Sequence, residues 1–153
     1  MSSEHAALMA KAIVLDANIL VRAVLGRRVL TILETYADRI HFLAPEIAFT
    51  DVRGHLPEIL VKRGLPQETI TKLIDEVLGR LPGLVTPVPQ EVYADAGAEA
   101  RRRLAGRDED DWPFVALALV LGCPIWTEDR DFFGSGVATW TTDRVEVYLK
   151  ANG

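Results

Sequence analysis

Apolar residues along this chain fall into short runs separated by longer stretches with helical spacing. Ile13-Val14-Leu15, Ile40-His41-Phe42-Leu43, Leu84-Val85-Thr86-Pro87-Val88, Pro124-Ile125-Trp126-Thr127 and Val137-Ala138-Thr139-Trp140 are brief and bounded by turn residues. Such runs read as strands covered on both faces. Pro87 points to an edge position for the third. Between the strands, Ile19 to Leu25 reads as a helix with Asn18 as its N-cap. Val29 to Ala37 follows as a second helix. Pro45 opens a helix that runs to Val61 with a bend near Gly54 or Pro57. Gln67 to Arg80 places Ile70, Leu73, Ile74, Val77 and Leu78 on one face. Pro89 to Leu104 reads as one continuous helix. Trp112 to Leu121 is apolar all round, with Pro113 in its first turn and Gly122 at its end. Thr141 to Lys150 closes the chain as a helix. Strands alternating with helices predict an α/β protein, a three-layer α/β/α sandwich around a five-stranded, mainly parallel sheet. Residues 1–10 read as a flexible terminus and 11–150 as a single domain.

Composition narrows the function. A length of 153 residues suits one domain with a proper core. Hydrophobic residues make up 49% and charged residues 25%, which argues against disorder. The 22 acidic groups outnumber the 17 basic ones, for a net charge of −5. The balance argues against a general polyanion-binding surface, and nucleic acid would need a local basic patch or metal ions that neutralise the acids. Cys123 is the only cysteine, so an internal disulfide and a cysteine-rich zinc site are also excluded. No apolar run approaches membrane-spanning length. Glu4 and His5 interrupt the start and no signal-peptide core follows, so the expected compartment is the cytoplasm.

The candidate chemistry is carboxylate chemistry. Asp16 ends the first strand and Asp129 follows the fourth. Asp111 stands at the entrance of the apolar helix, and Asp51 lies inside the helix that follows the second strand. Right-handed crossovers bring the C-terminal ends of the strands to one edge, where open α/β sheets bind ligands. If the first and fourth strands are neighbours, Asp16 and Asp129 face each other there, and Asp51 and Asp111 can reach the same place. Clustered carboxylates repel unless a cation separates them. Hard ions such as Mg²⁺ or Mn²⁺ take oxygen ligands and suit phosphodiester hydrolysis. Each acid also has an ordinary reading: Asp16 and Asp111 sit where helix caps belong, Asp129 and Asp131 flank a turn, and Asp51 could face solvent. Arg22, Arg27 and Arg28 lie near the Asp16 edge and are candidates for phosphate contact. Arg101-Arg102-Arg103, with Arg107, read as an RNA backbone clamp or, more simply, as a solvated helix end. His41 and His55 read as structural or surface residues, and Trp112 and Trp126 as packing residues.

Four motifs recur in a fixed order: Val14-Leu15-Asp16-Ala17-Asn18, Pro45 with an acid six positions on at Asp51, Asp111 before Phe114-Val115-Ala116-Leu117-Ala118, and Thr127-Glu128-Asp129-Arg130-Asp131-Phe132. Together, over about Ile13 to Lys150, they resemble the PIN-domain family of metal-dependent ribonucleases, which includes toxins of the VapC type. The resemblance implies a PIN-like fold and an acidic quartet of Asp16, Asp51, Asp111 and Asp129, serving as metal ligands and catalytic groups. Asn18 and Thr127 match its accompanying polar positions, and Asp131 is an additional acid. The family's second acid is usually Glu, so Asp51 departs from the pattern. Glu46 is the substitute in another register, and Asp110 and Asp108 compete with Asp111. The implied activity is Mg²⁺- or Mn²⁺-dependent endoribonuclease cleavage leaving a 5′-phosphate and a 3′-hydroxyl. The implied partners are an RNA substrate, a small antitoxin if the chain is a toxin, and a second copy through Trp140 or the helix Gln67 to Arg80. Two alternatives stay open: a non-toxin nuclease of this fold in RNA processing or on structured DNA, and a degenerate domain that binds RNA or protein without cleaving. A Rossmann-type enzyme is disfavoured, because the first strand–helix turn lacks the glycine fingerprint.

Overall fold

A computed structural model of the protein describes residues 11–151; the terminus at residues 1–10 lies outside them. The strands are β1 (Lys11–Leu15), β2 (Ile40–Pro45), β3 (Thr86–Val88), β4 (Ile125–Trp126) and β5 (Thr139–Trp140). The α-helices are α1 (Ala17–Leu25), α2 (Arg28–Tyr36), α3 (Glu46–Lys62), α4 (Gln67–Arg80), α5 (Gln90–Tyr93), α6 (Gly97–Arg103), α7 (Trp112–Leu121) and α8 (Val145–Lys150). The strands line up as β3-β2-β1-β4-β5, and every pairing is parallel. The sheet expected to be mainly parallel is wholly so, and β3, with its proline, is an edge.

The chain leaves β1 toward β2 and β3 on one side, then returns to β4 and β5 on the other. Right-handed crossovers put α1 to α4 on one face and α5 to α7 on the opposite face, which gives the three layers. The reversal of strand order falls between β1 and β4, where Val14 pairs with Ile125 and Leu15 with Trp126. Ile13, Val14 and Leu15 are fully buried, as a central strand covered on both faces requires. α7 packs on β1, β2 and β4. Its residues Pro113 to Ala118 are all buried, which explains why it lacks a polar face. α8 closes on the other layer: Tyr36 donates to Glu146 at 3.0 Å, and Tyr148 donates to the Ala12 carbonyl at 2.7 Å.

α3 runs through Gly54 and Pro57 to Lys62, one residue past its expected end. Pro57 gives up one backbone hydrogen bond to the carbonyl of Arg53, an exposed residue where water can take its place, while Val52, Leu56 and Leu60 stay buried. The helix expected from Pro89 to Leu104 is instead broken by a 3-10 turn at Ala94–Ala96. The break falls where Trp112 packs. Its ring meets Tyr93 at 5.7 Å between centroids, and a Cβ at Gly97 would lie only 3.2 Å from it. The last helix starts at Val145, not Thr141, because Thr142 turns back to Glu128.

Gly122 ends α7 in the left-handed region at φ 64°, with open space where a Cβ would stand. Gly122→Ala should therefore cost about 1 kcal/mol from backbone conformation alone. Urea unfolding checks this; an unchanged midpoint would refute the helix-ending role.

Candidate functional site

The site begins where β1 ends. The Asp16 amide donates to the Trp126 carbonyl at 3.2 Å, so pairing with β4 holds the Asp16 backbone extended for one residue beyond the strand. α1 must then start at Ala17. The Asp16 carboxylate, through Oδ1, accepts the Ile19 amide at 2.8 Å. This corrects the expected cap: Asp16 caps α1, and Asn18 lies exposed inside the first turn.

The other oxygen of Asp16, Oδ2, accepts the Thr127 hydroxyl. Thr127 is fully buried, and its amide donates to the Trp140 carbonyl at 3.0 Å. The same hydroxyl oxygen accepts the Asp129 amide at 2.9 Å, and Asp129 Oδ1 in turn accepts the Asp131 amide at 2.9 Å. A ladder of hydrogen bonds thus runs from the central strand through Thr127 to Asp129 and Asp131. One hydroxyl serves both as donor and as acceptor in it. Glu128, between these residues, is turned aside: it accepts the Thr142 amide at 2.6 Å and lies 3.9 Å from Arg22.

Asp111 arrives from the opposite layer. It ends the 3-10 turn Glu109–Asp111 at the entrance of α7, and its side chain makes no capping hydrogen bond there. Oxygens of Asp111, Asp129 and Asp131 lie within 4.8 Å of one another, all three residues being half-buried. Asp16 is close enough to feel Asp129 and to act on Asp111. Burial, and then the charges of Asp129 and Glu128, push the Asp16 carboxyl up to about 6 against the pull of its Thr127 and Ile19 hydrogen bonds. Burial, followed by Asp108, Asp129, Asp16 and Asp131, pushes Asp111 up to about 7. Among the described residues, no Lys, Arg or His forms an ion pair with Asp16, Asp111, Asp129 or Asp131. An uncompensated, oxygen-only donor set of this kind fits Mg²⁺ or Mn²⁺.

The structure sorts the other expected residues. Asp51 is exposed on α3 and stands apart from the group of three. It lines a groove with Ala17, Asn18, Val21, His55 and Lys62, which starts next to Asp16 in the chain. Glu46 is exposed in the first turn of α3 and, after burial, is the main influence raising the Tyr93 phenol. Asp110 is exposed; its amide donates to Asp108 Oδ1 at 3.1 Å. Arg28 pairs with Asp143 at 2.8 Å, and Arg27 lines a hollow with Thr31, Thr35 and Glu146. Neither arginine pairs with the clustered carboxylates. Asp131 is closer to the centre than its accompanying role implied. The signal for it was the two-residue spacing from Asp129, because an Asp whose side chain binds the amide two residues on turns both acids to one side.

No curated protein matches the chain. Among solved structures, VapBC2 from Rickettsia felis bound to a DNA fragment from their promoter superposes with a TM-score of 0.63 at 13% identity, over 85% of this chain and 98% of that one. At that identity the likeness is one of fold. A family model described as PIN domain matches residues 14–150, a span that takes in every carboxylate of the cluster. The chain belongs to the PIN-domain family.

Proposed function

We propose that the protein is a metal-dependent endoribonuclease in which Asp111, Asp129 and Asp131 hold Mg²⁺ or Mn²⁺, with Asp16 completing the charge of the pocket. The observation that carries this reading is three carboxylates within 4.8 Å of one another, anchored to the sheet through Thr127. The chemistry such an ion supplies when bound is polarisation of the phosphodiester and acidification of water. Asp16 and Thr127 fix the backbone that presents Asp129. Asp111 joins the cluster from the α7 side. Asp51 and Asn18 line the groove beside Asp16, where they would contact the RNA strand. Arg22, 3.9 Å from Glu128 beside Asp129, is the candidate among the three arginines for a phosphate contact.

The likeness to VapBC2 supports a toxin role, with a small antitoxin as partner. A second reading is a degenerate domain that binds without cleaving, favoured by the exposed position of Asp51 outside the carboxylate group. Self-association remains part of the proposal. Trp140 is half-buried against Tyr148, at 5.8 Å between ring centroids, which leaves part of it for a second copy to meet.

Cleavage of a mixed single-stranded RNA panel, with Mn²⁺, with Mg²⁺ and with EDTA, tests the nuclease. Cuts should depend on the ion, disappear in EDTA, and fall about a hundredfold in Asp16→Asn, roughly 3 kcal/mol of transition-state stabilisation. No cleavage, together with no metal-induced thermal stabilisation, would favour the binding domain instead.

A further inference from the structure

We infer that the basic segment Arg101 to Arg107 is a brace that positions the carboxylate cluster, with Arg107 as its principal positioning residue; the inference rests on the reading of that cluster as a divalent-ion site. The segment reads in sequence as a phosphate clamp or a solvated helix end. The structure gives its guanidinium groups other work. Arg101 stacks over Trp112, its Cζ 4.3 Å from the ring, and Trp112 directly follows Asp111. Arg103 is aimed by Glu99, to which its Nε donates at 3.0 Å, and its Nη1 donates to the Ser135 carbonyl at 2.8 Å. Arg107 Nη1 donates to the Asp131 carbonyl at 3.1 Å and also to the Phe133 carbonyl. One short segment therefore grips both arms of the site: the entrance of α7 that carries Asp111, and the loop that carries Asp131.

The loop is shaped to receive the arginines. Gly134 and Gly136 adopt φ of 86° and 85°, a region closed to most side chains. A Cβ at Gly134 would lie 2.7 Å from Arg107 Nη2, and one at Gly136 would collide with Arg103 Nη1. The guanidinium groups thus occupy space that a side chain at Gly134 or Gly136 would fill. On the loop they bind carbonyls and not the carboxylates of Asp129 or Asp131, so those acids stay free for an ion. Arg103 and Arg107 each commit Nη1 to loop carbonyls, which ties the segment to the loop whatever their remaining donors meet. Groups that orient metal ligands from behind commonly change metal affinity by about 10- to 100-fold when removed.

Mn²⁺ binding, read from the loss of the free-ion electron paramagnetic resonance signal well below the unfolding temperature, tests this directly. Circular dichroism in EDTA shows whether each variant is folded. Arg107→Met should stay folded, because the side chain is at the surface, and should bind Mn²⁺ about tenfold more weakly. Arg107→Lys, which keeps one nitrogen for the two carbonyls, should recover affinity to within about threefold of the original. Gly134→Ala, which pushes the same guanidinium away from the loop side, should weaken binding like Arg107→Met. Arg102→Met, whose guanidinium among the described residues meets Glu99 and neither the loop nor Trp112, should leave affinity unchanged. A folded Arg107→Met that binds Mn²⁺ like the original protein would overturn the brace alone. Mn²⁺ binding that is absent, or indifferent to Asp129→Asn, would overturn the ion site and the brace with it.

Discussion

Asp111→Asn should make the metal-free protein more stable at neutral pH while reducing RNA cleavage by at least a thousandfold, about 4 kcal/mol of transition-state stabilisation. The two effects share one cause. Asp111 is half-buried among Asp108, Asp129, Asp16 and Asp131, and its carboxyl is pushed up from 3.8 to about 7. Between those values the folded protein holds a proton that the unfolded chain has released. Stability therefore falls as pH rises through this window and levels off above about 7. Asp16, pushed up to about 6, adds a loss of the same sign over the lower part of the window. The full displacement of Asp111 corresponds to about 4 kcal/mol; solvent screening at a half-buried group reduces this to about 1–3 kcal/mol. Asparagine removes the charge and flattens the pH profile.

Adding the ion should reverse the ranking. Free Mn²⁺ at a hundred times its dissociation constant stabilises a folded binder by about 2.7 kcal/mol, and Asp111→Asn should lose most of that gain. Urea unfolding in EDTA and in Mn²⁺, from acid to neutral pH, measures both halves. If Asp111→Asn is no more stable than the original protein in EDTA at neutral pH, the carboxylates are not crowded as the structure places them.

Replacing Thr127 by Val should cost about 2–4 kcal/mol and lower cleavage about a hundredfold, whereas Thr127→Ser should stay within about 1 kcal/mol. Valine fills nearly the same volume, so no cavity is made. What disappears is the hydroxyl that donates to Asp16 and accepts the Asp129 amide at 2.9 Å. Thr127 is wholly buried and Asp16 nearly so, and water cannot easily replace the lost partner. Without it the Asp16 carboxyl also loses the strongest of the influences that hold it down against burial. Denaturant midpoints and single-turnover cleavage of the two variants separate the hydroxyl from its methyl neighbour. Equal behaviour of Val and Ser would show that the ladder from β1 to Asp129 does not organise the site.

Periodicity and turn residues were enough to place the five strands along the chain and most of the helices between them, because those patterns report the local backbone and the faces it buries. Crossover handedness then put Asp16 and Asp129 at one sheet edge, and the β1–β4 pairing bears that out. Gly122 as the stop of α7 and Pro87 on an edge strand were equally legible, since each reflects a constraint internal to its own residue. Tertiary contacts decided the rest. Asn18 is a good cap by type, but β4 holds the Asp16 backbone extended and gives the cap to Asp16. A single helix from Pro89 to Leu104 is sound by propensity, but Trp112 packs where it would run. Asp51 has the right spacing in sequence, yet it lies exposed on α3 while Asp131 joins Asp111 and Asp129. The hydrogen bond between Thr127 and Asp16 spans 111 positions. No local pattern encodes such a partner, because it exists only once the sheet has brought the two strand ends together.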